Sequence, residues 1–541
     1  MRAPGPDSIQ GRLRGLARQS PRRIFLAAFC LYFALCAAWS LCTPLGAAPD
    51  EPPHLVKAAA TARGEIDGTF GYLAQPMVQG LTQQPARFYL VPKAYADLSY
   101  CYAAVVPKCL KPIPHSDLSV VTPTTAGHYN PIYYAAVGWP SLIFTGEQGM
   151  YLLRLMSALL NSLLLAGAFT VAARLRRPAF ALAGLAVATT PMILFLDGVV
   201  NPNSIEVSSA VLAWTAALAL ALEPRPELFK GRVISLGIAV SVLTNARPLG
   251  FEWTVAILAV SALVARREAV SAVLRNRLTW IVGASAAGPM LFGLFWTLTH
   301  GDNAKVPFVP GNAFLPAART SLHLTPGYID GMIGVFGWLD VYSPAVTYML
   351  WIGAVIMLMI AACALGRRRE TIAVLAMLIG VVFVPILAQA VQAKNIGLVW
   401  QGRYLLAFAV GLPILAGMVA AQRGAVFPEW AQRRIAVAVA LTLGFANFTA
   451  FFHALRRYTV GLNGRLLPRP IVWEPPGTWM FWLPVYAAAL LALAALVAKA
   501  KLSGEREPGE QQQLPARLPV DLPQSSQGST SERGVSTIVA K

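Results

Sequence analysis

The sequence predicts an all-α integral membrane protein of about twelve transmembrane helices, and three observations carry that reading. Of its 541 residues 56% are hydrophobic and only 13% charged, and the mean hydropathy of +0.55 lies outside the range of a soluble globular domain. Apolar runs of roughly 20 residues, long enough to cross about 30 Å of hydrocarbon as helix, recur along nearly the whole chain. The basic residues fall in alternate connections, the pattern expected when cytoplasmic loops carry the excess of Lys and Arg.

In chain order, a basic leader over 1–23 (Arg12, Arg14, Arg18, Arg22, Arg23) marks the cytoplasmic side. The polytopic domain covers 24–499, with expected spans at 24–43, 152–173, 178–198, 204–222, 233–246, 249–265, 279–299, 345–365, 371–391, 404–421, 435–454 and 478–499. Small residues Gly46-Ala47-Ala48 follow the first run, but that run exceeds the h-region of about 7–15 residues in a cleaved signal, so an uncleaved anchor is expected. Asn245-Ala246-Arg247-Pro248 interrupts the apolar stretch over 233–265, which is either two short spans or a re-entrant hairpin. The polar tail over 500–541 buries too little apolar surface to fold alone. Both termini are then cytoplasmic, and the setting is a membrane with its outer face extracytoplasmic.

The net charge of +19 sits mostly in the short inward loops, where orienting the helices accounts for it and no nucleic-acid partner is called for. Neither a Walker A sequence nor a GxGxxG loop is placed where it could hold a nucleotide. Function is expected on the outer face, in loops over 44–151, 300–344, 392–403 and 455–477. The first loop is too long for a mere connection. It carries two stretches that read as interfacial helices, Glu51 to Arg63 and Asn130 to Phe144, around a Pro- and Tyr-rich middle. There Cys101 and Cys109 are candidates for a disulfide on the oxidising side, or a pair of free thiols. No cysteine shows metal-ligand spacing.

The segment Ala48-Pro49-Asp50-Glu51-Pro52-Pro53-His54 sets two adjacent carboxylates just beyond the first span. Helix capping explains Asp50 on its own; it explains Glu51 less well, and not the grouping with His54 and Lys57. Asp197, Glu206, Arg247, Glu252, Lys394 and Arg403 lie in or near the outer ends of spans. Each is either an anchor that snorkels to the interface or part of a polar cavity. The anchor is the default for each taken singly, and two acids and two bases converging on one level are less readily explained that way.

Asp50-Glu51-Pro52-Pro53-His54, Asn201-Pro202-Asn203-Ser204-Ile205-Glu206, Gly337-Trp338-Leu339-Asp340 and Gln401-Gly402-Arg403-Tyr404, in that order and all on the outer face, resemble the motif series of a bacterial multi-spanning membrane protein family. That family has no assigned function and is allied with the GT-C superfamily of polyprenyl-phosphate-sugar-dependent glycosyltransferases. The resemblance runs from about residue 24 to 460. The chain departs from it at Pro53, where many members carry Ala, and at Asn203, where many carry Asp.

The resemblance implies a GT-C-like fold and transfer of a sugar, with inversion, from a polyprenyl-phosphate donor to an extracytoplasmic glycan or protein. It implies Asp50 as base, with Glu51 the second choice. The leaving phosphate calls for a guanidinium or a divalent cation, Mg²⁺ or Mn²⁺. Arg403, Arg247 and Lys394 are the candidate partners, and the sequence leaves the metal open. His54, Glu206, Tyr404, Trp338 and Asp340 are candidates for substrate contact or support. Two rivals stand beside this reading: a transporter of lipid-linked sugar or envelope polymer, and a non-catalytic envelope assembly partner.

Overall fold

The computed structural model describes residues 20–73, 84–98, 113, 115–116, 118–301, 310–423, 426–461, 465 and 471–500. The leader through residue 19, the tail from residue 501, and both Cys101 and Cys109 lie outside the described residues.

Helix α1 (Pro21–Cys42) starts where Ser20 accepts the Arg23 amide, with proline in the first turn. Proline in the first turn recurs in α5 (Pro178–Ala188), α6 (Pro191–Asp197), α7 (Pro202–Leu222) and α8 (Pro226–Ala246). Its fixed φ suits a helix start, and it lacks an N–H that would go unpaired there. The remaining long helices are α4 (Glu147–Ala173), α9 (Gly250–Val264), α11 (Arg277–Thr299), α14 (Ala345–Leu365), α15 (Arg368–Ile396), α16 (Gly402–Gln422, opening with a 3-10 turn), α17 (Glu429–Val460) and α18 (Trp479–Lys499). Between them lie α2 (Glu51–Ala62), α3 (Pro131–Gly138), α10 (Arg267–Arg275), α12 (Phe314–His323) and α13 (Thr325–Gly334).

Among the described residues nine helices are long and apolar enough to cross a membrane, and the bent pair α5–α6 makes a tenth. Helices α8 and α9 occupy the other two expected spans. The stretch around Asn245 joins two helices whose far ends both return to the end of α7. Glu223, just past the end of α7, meets Arg232 of α8; past the end of α9, the Arg266 amide returns to Ala221 O at 3.2 Å and its guanidinium to Gln422 Oε1 at 2.9 Å.

Helix α7 is the axis. All its residues are buried, packed against α4, α8, α9 and α16. Around it, α11, α14 and α15 turn large apolar side chains such as Leu298, Met349 and Leu387 outward, as suits contact with lipid tails.

Three features differ from the sequence reading. The run expected as one straight span over 178–198 breaks by 67° between α5 and α6, where Thr190 caps the Ile193 amide and Pro191 opens the second piece. The first loop contains a three-stranded antiparallel sheet, β1 (Thr69–Tyr72), β2 (Pro85–Pro92) and β3 (Ser119–Thr124), in that order, with Phe88 opposite both Thr69 and Pro123. Finally, α2 does not lie at an interface: Glu51 through Thr61 are all buried, against α3, β2 and β3. This is tolerable because Lys57 donates to Ile66 O at 2.5 Å and Tyr89 Oη at 2.8 Å, so its ammonium is not left bare.

Candidate functional site

The loop between α1 and α2 ends in a left-handed residue, Asp50, at φ 60°. Asp tolerates that region better than most residues, at a cost of order 1–3 kcal/mol. Asp50 occupies the N-cap position of α2 yet makes no side-chain cap bond. Its carboxylate instead accepts from Arg403 Nη2 at 2.5 Å, with the acid half exposed at 48% and the guanidinium at 1%. Asn201, the cap of α7, clamps this loop to the bundle: its Oδ1 accepts the Asn203 amide and its Nδ2 donates to Pro49 O, both at 3.0 Å.

Arg403 stands in the 3-10 turn that opens α16. Two of its nitrogens, Nε and Nη1, are buried without a partner among the described residues, as are Trp400 Nε1 and Gln401 Oε1 beside it and Nε of Arg247. Burying an unpaired polar atom costs about 1–3 kcal/mol, more on a charged group, so a cluster of such atoms around a buried cation marks a place built for an anionic or hydrogen-bonding ligand.

Gly402 sets the approach of this turn. A Cβ there would stand 2.0 Å from Tyr328 O of α13 and 3.1 Å from Met332 N, whereas one on Gly331 would meet nothing nearer than 3.5 Å. Gly402→Ala is expected to lower stability by about 1–3 kcal/mol through overpacking and to displace Arg403. Thermal unfolding in detergent, with Gly331→Ala as the tolerated control, checks it; equal unfolding temperatures would refute the tight contact.

A second ion pair lies alongside. Glu206 of α7 accepts from Arg247 at 3.3 Å, from Trp253 Nε1 at 3.2 Å and from Asn203 Nδ2 at 3.4 Å. The two guanidiniums share one ring, Arg247 at 4.7 Å and Arg403 at 5.3 Å from the centre of Tyr404. His54 lies next to this set, its Nδ1 2.7 Å from Tyr134 Oη and its ring 5.4 Å from that of Tyr129. Burial pushes its imidazole down to about 3; Asp50 opposes that, while Arg247, Arg403 and His128 add to it. His54 is therefore neutral at pH 7 and exchanges hydrogen bonds, not charge.

Asp50, Arg403, Arg247, Glu206, Tyr404 and His54 are thus brought together, by helix ends that share one side of the bundle. Glu51 is not: it turns the other way, buried, and Arg154 of α4 holds both its oxygens at 2.6 and 2.5 Å. Trp338 and Asp340 form a support. Trp338 Nε1 donates to Gly46 O at 2.9 Å in the Asp50 loop, and Asp340 Oδ1 accepts the Trp338 amide at 3.0 Å across a turn with positive φ at Gly337 and Leu339. Lys394 is exposed near the end of α15, without a hydrogen bond or ion pair to the cluster among the described residues. Sequence reasoning did not single out Arg154 or His128; an arginine within an apolar span was the available signal for the first.

Among the described residues no three His, Cys, Asp or Glu side chains converge, and Asp50 and Glu206 each face a guanidinium.

A helical bundle of this length and apolarity, with paired charges gathered at one end, is a multi-pass membrane protein carrying a polar site. The chain belongs to the DUF2142 family of predicted membrane proteins, whose profile matches residues 33–412. No curated protein matches the sequence. Among solved structures it is similar to ArnT from Cupriavidus metallidurans bound to undecaprenyl phosphate, at 16% identity and a TM-score of 0.41 over 88% of this chain and 76% of that one.

Proposed function

We propose that this protein is an inverting membrane glycosyltransferase, moving a sugar from a polyprenyl-phosphate donor to an envelope acceptor on the extracytoplasmic face. One observation carries the reading: a half-exposed carboxylate, Asp50, paired with a buried guanidinium, Arg403, that keeps two further nitrogens without partners. In the reaction an acceptor hydroxyl oxygen attacks the anomeric carbon while the bond from that carbon to the phosphate oxygen breaks. The electron pair leaves with polyprenyl phosphate, and the hydroxyl proton passes to Asp50. Arg403, with Arg247 as second cation, faces the charge that develops on the leaving phosphate. A phosphate that takes Nη2 of Arg403 also frees the Asp50 oxygen now occupied by it, so donor arrival readies the base. The outward direction rests on the alternation of Lys and Arg between loops.

The test uses the purified chain in nanodiscs with a labelled polyprenyl-phosphate sugar, reading release of polyprenyl phosphate. Arg403→Ala is expected to raise the donor concentration required by about 10–100-fold, the value of a charge-assisted hydrogen bond. Unchanged donor dependence would count against the assignment.

A second reading draws on the broken span α5–α6, whose buried Asp197 accepts, among the described residues, from the Ser208 hydroxyl at 3.0 Å to each oxygen. Discontinuous helices with buried acids occur in transporters, where they come in matching pairs. Among the described residues only one bent pair occurs. A transporter would move the lipid-linked sugar and release no polyprenyl phosphate.

A further inference from the structure

At the end of the bundle opposite Asp50 a short helix bridges two crossings. Helix α9 leaves the Arg247 junction and runs to Val264, beyond which the Arg266 amide meets Ala221 O at the end of α7. Helix α11 starts at Arg277 and returns to the Asp50 end, where its Trp296 Nε1 donates to His128 O of the first loop. The helix between them, α10 (Arg267–Arg275), therefore sits at the level where hydrocarbon gives way to headgroups. From its two faces we infer that α10 lies in the headgroup layer of that leaflet and binds anionic phospholipids. Nothing in this depends on the transferase reading.

The apolar face comes first. At about 100° per residue, Arg267, Glu268, Ser271 and Arg275 gather on one side of α10, and Ala269, Val270, Val273 and Leu274 on the other. The helix packs on α7 with Ala269 buried, which leaves Val270 41% and Leu274 55% exposed. Leu263 near the end of α9, and Trp280 and Ile281 in the first turns of α11, are exposed too. Trp280 donates its Nε1 to Leu274 O at 2.9 Å, so its ring is held against the last turn of α10 with its N–H satisfied. A surface helix set between two spans buries such a strip by sinking it into the acyl boundary, the level at which Trp is enriched.

The charges select the lipid. From Arg266 to Arg277 the chain carries four arginines against one glutamate. Arg266 is committed to Gln422 Oε1 at 2.9 Å. Arg267, Arg275 and Arg277 are exposed and make no side-chain hydrogen bond or ion pair among the described residues. Orienting the spans calls for arginines in this connection, as in the other inward loops. It does not call for an uncovered apolar strip beside them, and the two together mark a helix seated on a charged membrane surface. A lipid phosphate can accept two parallel N–H groups from one guanidinium. The arginine stem is long enough for the charge to stay among headgroups while the apolar side sinks. A zwitterionic headgroup has no net charge to offer three cations.

Hydrogen exchange of the full chain tests this, in nanodiscs of phosphatidylcholine alone and of an equal mixture with phosphatidylglycerol. Amides of α10 are expected to exchange at least 5-fold more slowly in the anionic membrane, about the value of one basic residue at a charged surface. Raising salt from about 0.1 to about 1 M shortens screening from about 10 to about 3 Å and should abolish the difference in the native protein, so the test does not hang on a variant that inserts correctly. Arg267→Gln, Arg275→Gln and Arg277→Gln together should abolish it as well, whereas lysine at the same three positions should keep it. The connection at Arg367–Arg369, equally basic but without a surface helix, should show no such difference; equal slowing there would be a general effect of charge and would overturn the assignment. Exchange in α10 that ignores lipid charge overturns it too. So does protection that follows the number of chains per nanodisc, which would make α10 a contact between copies.

Discussion

Asp50→Asn is expected to lower sugar transfer by about 10²–10⁴-fold, the contribution of a positioned general base, while unfolding temperature and helical content stay near those of the native chain. The structure favours this substitution over Asp50→Ala for a definite reason. Asn shares with Asp an enriched occupancy of the left-handed region, which residue 50 occupies at φ 60°, and its amide oxygen can still accept from Arg403. Alanine would add backbone strain to the loss of the acid. Since the side chain is 48% exposed and makes no cap bond, the dependence of the fold on its charge is confined to the pairing with Arg403. Release of polyprenyl phosphate and acceptor labelling are the readouts, each against unfolding temperature. Native turnover in Asp50→Asn would place the base elsewhere and remove the carboxylate from the mechanism.

What the sequence made legible follows from what hydropathy encodes. Each of the twelve expected spans coincides with helix because burying the backbone in hydrocarbon requires internally bonded segments, and runs of apolar residues report that need directly. The break at Asn245–Pro248 interrupts a run and was visible. The 67° bend at Thr189–Pro191 interrupts nothing apolar, and only the Thr-Pro pair, a cap followed by a first-turn proline, could have betrayed it. Motifs far apart in sequence, around Asp50, Asn201 and Arg403, do meet through Asn201–Pro49 and Arg403–Asp50. The division of labour between Asp50 and Glu51 was not legible. Adjacency says nothing about direction, and the left-handed turn at Asp50 sends one carboxylate to Arg403 and the other into the bundle. Lys57, read as part of an interfacial helix, is buried because Tyr89 of β2 and the Ile66 carbonyl just before β1 receive it, partners that only the folded loop supplies.

The partner that Glu51 finds there gives the largest expected effect on stability. Arg154 spends its donors on five acceptors: both oxygens of Glu51, and the carbonyls of Ser40 at 2.8 Å, Thr43 at 2.5 Å and Pro44 at 3.0 Å. Both side chains are fully buried. Arg154→Met strands a carboxylate in the bundle, which typically costs about 3–5 kcal/mol, and takes a donor from the carbonyls of Ser40 and Thr43, while Pro44 O keeps the Ala47 amide. A large fall in unfolding temperature or loss of folded protein from the membrane is expected. The double variant Glu51→Leu with Arg154→Met removes the stranded charge and should recover part of that loss. It cannot recover all, because the carbonyls that end α1 keep no donor. Transfer should decline together with stability in Arg154→Met, since the same guanidinium pins the loop that aims Asp50, whereas Asp50→Asn lowers transfer alone. An Arg154→Met protein that unfolds at the native temperature would show that the loop is held by Asn201 and Trp338 without the buried pair.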